Sequence, residues 1–231
     1  MLNIQEMGIV RGNAQSGFRV TLPELTLNAG EIAALTGISG CGKSTLLEMI
    51  GLILKPDHLR YFSLGAEPQN ITQTVLNNNQ AYLASIRAKK LGFVLQNGGL
   101  LPFLTVWQNI QLPRQILHLC AQSTWLDTAI KRLNIQPLLH QYPHQLSIGE
   151  RQRVAFIRAI AHEPDLLLAD EPTAALDPYN ANQLFSLIVD IVKQGKMAAL
   201  IVSHDWSRVE QFQLMRYHAQ IQGAESVFIR G

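Results

Sequence analysis

Gly37, Gly42, Lys43 and Ser44 stand in the spacing G-x-x-x-x-G-K-[ST], the pattern of a loop that wraps the phosphates of a nucleoside triphosphate. Glycine lets a backbone curl until successive N–H groups face one anion. In the run Gly37-Ile38-Ser39-Gly40-Cys41-Gly42-Lys43-Ser44, Lys43 can reach the β- and γ-phosphates, and the Ser44 hydroxyl can ligate Mg²⁺. The expected binding set is Gly37, Ser39, Gly40, Cys41, Gly42, Lys43, Ser44 and Thr45. A glycine-rich turn that binds nothing is the plainer alternative.

Leu166-Leu167-Leu168-Ala169-Asp170-Glu171 carries the second chemical signal. An acid pair at the open end of a buried strand has a use beside a phosphate loop. Asp170 can hold the Mg²⁺ shell, and Glu171 can orient and deprotonate an attacking water. Taken alone, the two acids could equally cap the next turn.

The elements that must position these residues are legible in outline. Ile32-Ala33-Ala34-Leu35 reads as a buried strand feeding the phosphate loop, and residues 44–53 read as the helix leaving it. That context favours binding over a bare turn. Residues 1–35 alternate apolar and polar positions, as in Phe18-Arg19-Val20-Thr21-Leu22, and read as short strands. Gly92-Phe93-Val94-Leu95, Leu166–Ala169 and Ala198–Val202 read as strands buried on both faces. Ser123 or Thr124 can cap a helix with Leu126, Ile130 and Leu133 on one face. Asp177-Pro178 predicts another helix start, with Leu184, Leu187, Ile188, Ile191 and Val192 at helical spacing and Gly195 as the stop. Asn77-Asn78-Asn79-Gln80 reads as a solvated loop, and residues 56–90 give no clear period. The expected fold class is α/β: a P-loop NTPase core with a mainly parallel sheet, an N-terminal antiparallel β subdomain and an inserted helical subdomain over about 100–160. Residues 1–231 are expected to form one domain.

Composition narrows the partners. The formal net charge is +2 with no block of Lys or Arg, so a nucleic-acid partner is not expected. No apolar run approaches the ~20 residues that span a bilayer. Met1-Leu2-Asn3-Ile4-Gln5-Glu6 lacks the basic start and apolar stretch of a signal peptide. A cytoplasmic location follows as the expectation, with docking on a membrane protein left open. The two cysteines, Cys41 and Cys120, do not suggest a structural disulfide, and a reducing compartment fits them.

Further segments follow in an order that resembles the ATP-binding subunits of ABC transporters, over roughly residues 30–55 and 90–210. Gln96 sits where that family has its Q-loop glutamine. Leu146-Ser147-Ile148-Gly149-Glu150 resembles the signature usually written LSGGQ, Ala174-Ala175-Leu176-Asp177 the D-loop, and His204 in Val202-Ser203-His204-Asp205 the switch histidine. The resemblance implies a homodimer with two ATP molecules sandwiched between the subunits. Glu171, His204 and Gln96 would be catalytic, and Ser44, Gln96 and Asp170 would surround Mg²⁺. Ser147 and the Gly149 N–H, at a helix start whose positive end suits an anion, would meet the γ-phosphate bound to the other subunit. Asp177 would relay the state of one site to the other. For adenine, Phe18 or a stacking Arg11 is the candidate, and Phe18 could equally be a core residue.

Two positions depart from the signature: Ile148 replaces glycine and Glu150 replaces glutamine. Only backbone is needed from position 148, so Ile148 is expected at negative φ, its side chain turned from the nucleotide. The segments Gly99–Ile110 and Tyr142–Gln145 resemble the lipoprotein-release and macrolide-export branch. That branch implies a separate integral membrane permease, peripheral attachment to the inner face of the membrane, and mechanical work driven by ATP hydrolysis. Leu100, Leu101, Phe103, Leu104 and Trp107 would then form a groove for the permease's coupling helix, or else pack the helical subdomain. The alternative function is an ATP-binding scaffold of a membrane complex with little hydrolysis.

Overall fold

A computed structural model describes residues 1–12, 17–195 and 197–231. The chain runs β1 (Leu2–Arg11), β2 (Phe18–Leu27), β3 (Ile32–Thr36), α1 (Lys43–Ile50), β4 (His58–Leu64), β5 (Gln69–Asn70), α2 (Thr72–Leu76), α3 (Gln80–Lys90) and β6 (Leu91–Val94). It continues with α4 (Val106–Ile116), α5 (Thr124–Arg132), α6 (Ile148–Ile160), β7 (Leu166–Asp170), α7 (Pro178–Gln194), β8 (Ala198–Val202), α8 (Trp206–Gln211), β9 (Met215–Gln222) and β10 (Glu225–Arg230). The strands form one sheet in the order β5-β4-β1-β2-β10-β9-β3-β8-β7-β6.

The sheet changes character along its width. From β9 through β3, β8 and β7 to β6 every pairing is parallel. At the other end β5, β4, β1 and β2 pair antiparallel, and β10 joins the halves by pairing parallel with β2 and antiparallel with β9. Apart from the terminal Thr36 and Asp170, strands β3, β6, β7 and β8 are apolar because both faces are covered. Leu166 and Leu168 of β7 enter the cluster packed under α1, while Leu167 and Ala169 enter the cluster that contains α6 and α7. Strand β8 divides the same way, with Leu200 and Val202 on one face and Ala199 and Ile201 on the other.

Several expectations need correction. Strands β1 and β2 run ten residues each: the alternation slips by one residue at Pro23-Glu24 and opposite it at Gln5-Glu6, where Glu6 takes φ 49°, and pairing carries on past the slip. Helix α1 stops at Ile50, where Gly51 and then Leu52 at φ 59° turn the chain out of register. The run 77–79 is the solvated connection expected there, and it joins two helices, with Gln80 opening α3. Asn77 ends α2, Asn78 takes φ 53°, and the Asn79 side chain accepts the Tyr82 N–H to start α3. Asparagine tolerates that left-handed turn and caps the next helix with the same chemistry. Ser123, rather than Thr124, caps α5, while Asp177 and Gly195 bracket α7 as the sequence indicates.

Candidate functional site

The parallel register brings the chemistry to one edge. Asp170 is the last residue of β7 and pairs with Val202 at the end of β8, and β3, on the other side of β8, runs directly into the phosphate loop. Glu171 and His204 therefore leave neighbouring strands side by side. The His204 Nε2 lies 2.7 Å from Glu171 Oε1. Glu171 takes φ 48° and its N–H donates to the Val202 carbonyl at 3.1 Å. A non-glycine residue in that region is uncommon, and here it turns the chain off the strand while keeping the carboxylate at the edge.

Backbone conformation makes the phosphate loop specific. Gly40 and Gly42 take φ 79° and 95°. A Cβ on Gly42 would fall 2.5 Å from Val20 Cγ2, so that residue must be glycine on two counts. Cys41 is buried, and Ser39 is exposed. Lys43, only 5% exposed, donates from Nζ to the Gly37 and Ile38 carbonyls at 3.0 and 2.9 Å. Its ammonium is thus held over the curl of the loop. Thr45 is half-buried one residue further along α1.

Ser44 and Asp170, read separately as metal ligands, meet: Ser44 Oγ donates to Asp170 Oδ2 at 3.3 Å. Burial, and then the neighbouring Glu171, hold the Asp170 carboxyl above the ordinary carboxylate range, against opposing effects of Ser44, Lys43 and His204. A half-buried, partly repelled carboxylate beside a hydroxyl is a donor set suited to a hard divalent cation completed by phosphate and water. Gln96 lies just past the end of β6 with an exposed side chain. Its carbonyl accepts the Gln152 Nε2 at 2.8 Å. Arg158 donates to the Gly98 and Gly99 carbonyls at 3.2 and 2.7 Å. Helix α6 therefore grips the loop that carries Gln96, through residues that the sequence reading did not single out.

The signature starts that same helix. Ser147 caps α6, and Glu150 completes a reciprocal box: its carboxylate accepts the Ser147 N–H and hydroxyl, both at 2.8 Å. These bonds hold the Glu150 carboxyl below its ordinary range. The Ser147 hydroxyl is thus engaged within its own helix start, which the sequence reading did not foresee. Ile148 is the first helical residue, is absent from the residues at positive φ, and is 49% exposed, in agreement with the expected negative φ. Gly149 faces Leu176, whose Cδ2 is 3.7 Å from a Cβ built there. This sets the signature against the segment leading to Asp177. Asp177 itself accepts the Tyr179 and Asn180 N–H groups, and the Asn180 side chain contributes most to holding its carboxyl low.

Phe18 pairs across the strands with Arg11, is half-buried, and packs against the main core. It lies on the same strand face as Val20, which touches the phosphate loop at Gly42. Leu100 and Trp107 pack into the cluster of the helical segment, the plainer of their two readings. Phe103 is 71% exposed. Buried Asn109 holds the loop behind it, donating to the Leu101, Leu104 and Thr105 carbonyls and accepting the Leu101 N–H.

Comparison with known proteins shows the family and the fold. The ABC transporter family profile matches residues 21–174. The lipoprotein-releasing system ATP-binding protein LolD of Paramagnetospirillum magneticum is 40% identical over 184 residues, which cover 78% of this chain and 78% of that protein. The macrolide export ATP-binding/permease protein MacB 2 of Yersinia pestis is 34% identical over 191 residues, 82% of this chain and 27% of that protein. Among solved structures, a dimeric ATP-binding cassette in a post-hydrolysis state, bound to ADP and Pi, superposes with a TM-score of 0.79 at 27% identity. That match covers 98% of this chain and 96% of the other.

Proposed function

The chain belongs to the ABC transporter family of ATP-binding, ATP-hydrolysing cassettes, and on that premise we propose that two copies close around two Mg-ATP to drive a separate membrane permease. The observation that carries this reading is the convergence of Lys43, Ser44, Asp170, Glu171 and His204 at the end of three adjacent parallel strands.

Each group has a task that follows from its placement. Glycine-shaped backbone N–H groups surround the β-phosphate, and Lys43 exchanges its loop carbonyls for phosphate oxygens. Ser44 and Asp170 would hold Mg²⁺, with Gln96 completing the shell from its exposed loop; the ion neutralises charge on the transferring phosphoryl group. Glu171 takes the proton of the attacking water as general base. His204 Nε2, now on Glu171, can donate to a γ-phosphate oxygen and leave the carboxylate for the water. Ser147 and the Gly149 N–H supply the helix start that faces the γ-phosphate of the opposite copy, once the Ser147 hydroxyl turns from Glu150. Asp177 lies at the exposed end of α7, suited to a contact across the dimer. Phe18, with Arg11 beside it, is the proposed adenine platform.

The relatives' names support the membrane partner. LolD is the ATP-binding protein of a lipoprotein-releasing system, and MacB joins an ATP-binding part to a permease in one protein. Among the described residues no helix is long and apolar enough to cross a membrane; a permease on a separate chain is part of the proposal. The location inferred is the cytoplasmic face of the membrane, with Phe103 in the docking surface and no role for nucleic acid. Sedimentation of Glu171→Gln protein with and without Mg-ATP tests this reading. It should shift from monomer to dimer only with nucleotide; a monomer at saturating Mg-ATP would oppose it.

A further inference from the structure

Arg208, in α8, joins three segments of the site. Its Nη1 lies 3.1 Å from Asp205 Oδ2 and donates to Thr173 Oγ1 at 3.3 Å, and its Nε donates to Asn182 Oδ1 at 2.8 Å. The side chain is only 13% exposed. Thr173 is in the loop that leaves Glu171, Asn182 is in the helix that Asp177 caps, and Asp205 follows His204 and caps α8. One cation therefore ties the histidine's segment to the base's loop and to α7.

Apolar packing does only part of this work: Val209 of α8 is buried, and the Phe212 ring just past α8 lies 5.2 Å from that of Phe185 in α7. A cavity of about 580 Å³ lies between these segments, lined by Glu171, Leu176, Pro178, His204, Trp206 and Arg208. Apolar contact across such a gap is weak, so beyond the β7–β8 pairing and the direct His204–Glu171 contact, the His204 segment is held to the loop of Glu171 by directional bonds that cross it. The start of α8 is anchored as well, with the Arg216 guanidinium of β9 4.8 Å above the Trp206 ring. Asp205 adds the last link, since its N–H donates to Ser203 Oγ at 3.1 Å and brackets His204.

We propose that Arg208 is a positioning residue for ATP hydrolysis, holding the His204 segment in register with the loop of Glu171 without touching nucleotide. A planar fork with five donors can satisfy Thr173, Asn182 and Asp205 together, whereas an ammonium on a flexible stem cannot hold the same geometry. The inference rests on the proposed roles of Glu171 and His204, so its test includes them.

Steady-state hydrolysis is measured for wild type, Arg208→Met, Arg208→Lys, His204→Ala and the double variant His204→Ala/Arg208→Met. A small displacement of catalytic groups costs up to ~10²-fold in rate, so Arg208→Met should lower kcat by about tenfold or more while KM for ATP stays within about threefold. Arg208→Lys should fall between, and it carries the test if the Met variant fails to fold. In the His204→Ala background the Met substitution should cost little further, because its effect passes through the histidine. A merely structural role would instead lower both backgrounds by the same factor. Wild-type kcat in both Arg208 variants, or undiminished loss in the His204→Ala background, overturns the proposal. An active His204→Ala variant identifies the failure as that of the histidine's role instead.

Discussion

Replacing Gly42 by alanine tests the phosphate cradle at its tightest point. The residue takes φ 95°, and the added Cβ would stand 2.5 Å from Val20 Cγ2 and 3.2 Å from Cγ1. Left-handed backbone costs an L-residue about 1–2 kcal/mol, and overpacking a tight contact costs about 1–3 kcal/mol. The expected loss is therefore about 2–5 kcal/mol, a large share of the ~5–15 kcal/mol that holds a domain folded. For a chain of this size each kcal/mol shifts the melting temperature by about 2–4 °C, so the variant should melt at least about 4 °C below wild type. The contact contribution can be isolated by repeating the change in a Val20→Ala background, where only the backbone cost should remain. Val20 is 1% exposed, so that background is itself destabilised and serves as its own reference. Thermal unfolding without nucleotide gives the stability cost, and the ATP-induced melting shift gives the loss of phosphate binding. Melting of Gly42→Ala within about 1 °C of wild type, or an equal cost with and without Val20, would refute the reasoning.

Three further outcomes are expected. Lys43→Ala should abolish the ATP-induced stabilisation, which for wild type at ~100 times the dissociation constant is roughly 2.7 kcal/mol; an unchanged melting shift would exclude the lysine from binding. Asp170→Asn should melt above wild type near neutral pH yet lose hydrolysis. Because the folded carboxyl binds its proton more tightly than the unfolded one, ionised Asp170 costs stability above its folded pKa, and the cost vanishes as pH falls to the ordinary carboxylate value. The stability gap should close in that direction, and an Asn variant no more stable than wild type at neutral pH would contradict the cause assigned. Ile148→Gly should change ATPase activity by less than about tenfold, since 1.4 kcal/mol is the scale of one packing contact; an inert wild type that gains robust turnover on this change would favour the scaffold reading.

What the sequence revealed were the parts whose chemistry demands particular residues at fixed spacing. A loop that must curl around phosphate names its own glycines, and strands buried on both faces announce themselves as Leu166–Ala169 and Ala198–Val202. Asp177-Pro178 was readable because a cap and a proline have only one sensible order. Residues 56–90 were opaque because β5 is two residues long, α2 is five, and the helix junction is written in asparagines that also suit a loop. The β9–β10 hairpin is stabilised by partners far away in sequence, β2 and β3, and no local pattern reports that. The contacts of Gln152, Arg158 and Arg208 were invisible for the same reason: each bridges segments that only the fold brings together. The Ser147–Glu150 box was missed although its signal is local, since S-x-x-E before an apolar-periodic helix is a capping pattern in its own right.

Steady-state hydrolysis of Mg-ATP by wild type and Glu171→Gln tests the central claim most directly. Glu171 leaves the end of β7 at φ 48° with His204 2.7 Å away, and the proposed function has it take a proton from water at the γ-phosphate. General-base catalysis contributes about 10²–10⁴ in rate, so Glu171→Gln should lose turnover on that scale while keeping the full ATP-induced melting shift. Turnover within about threefold of wild type, far inside the ~10²-fold floor for a lost general base, would remove Glu171 from the mechanism and contradict the account.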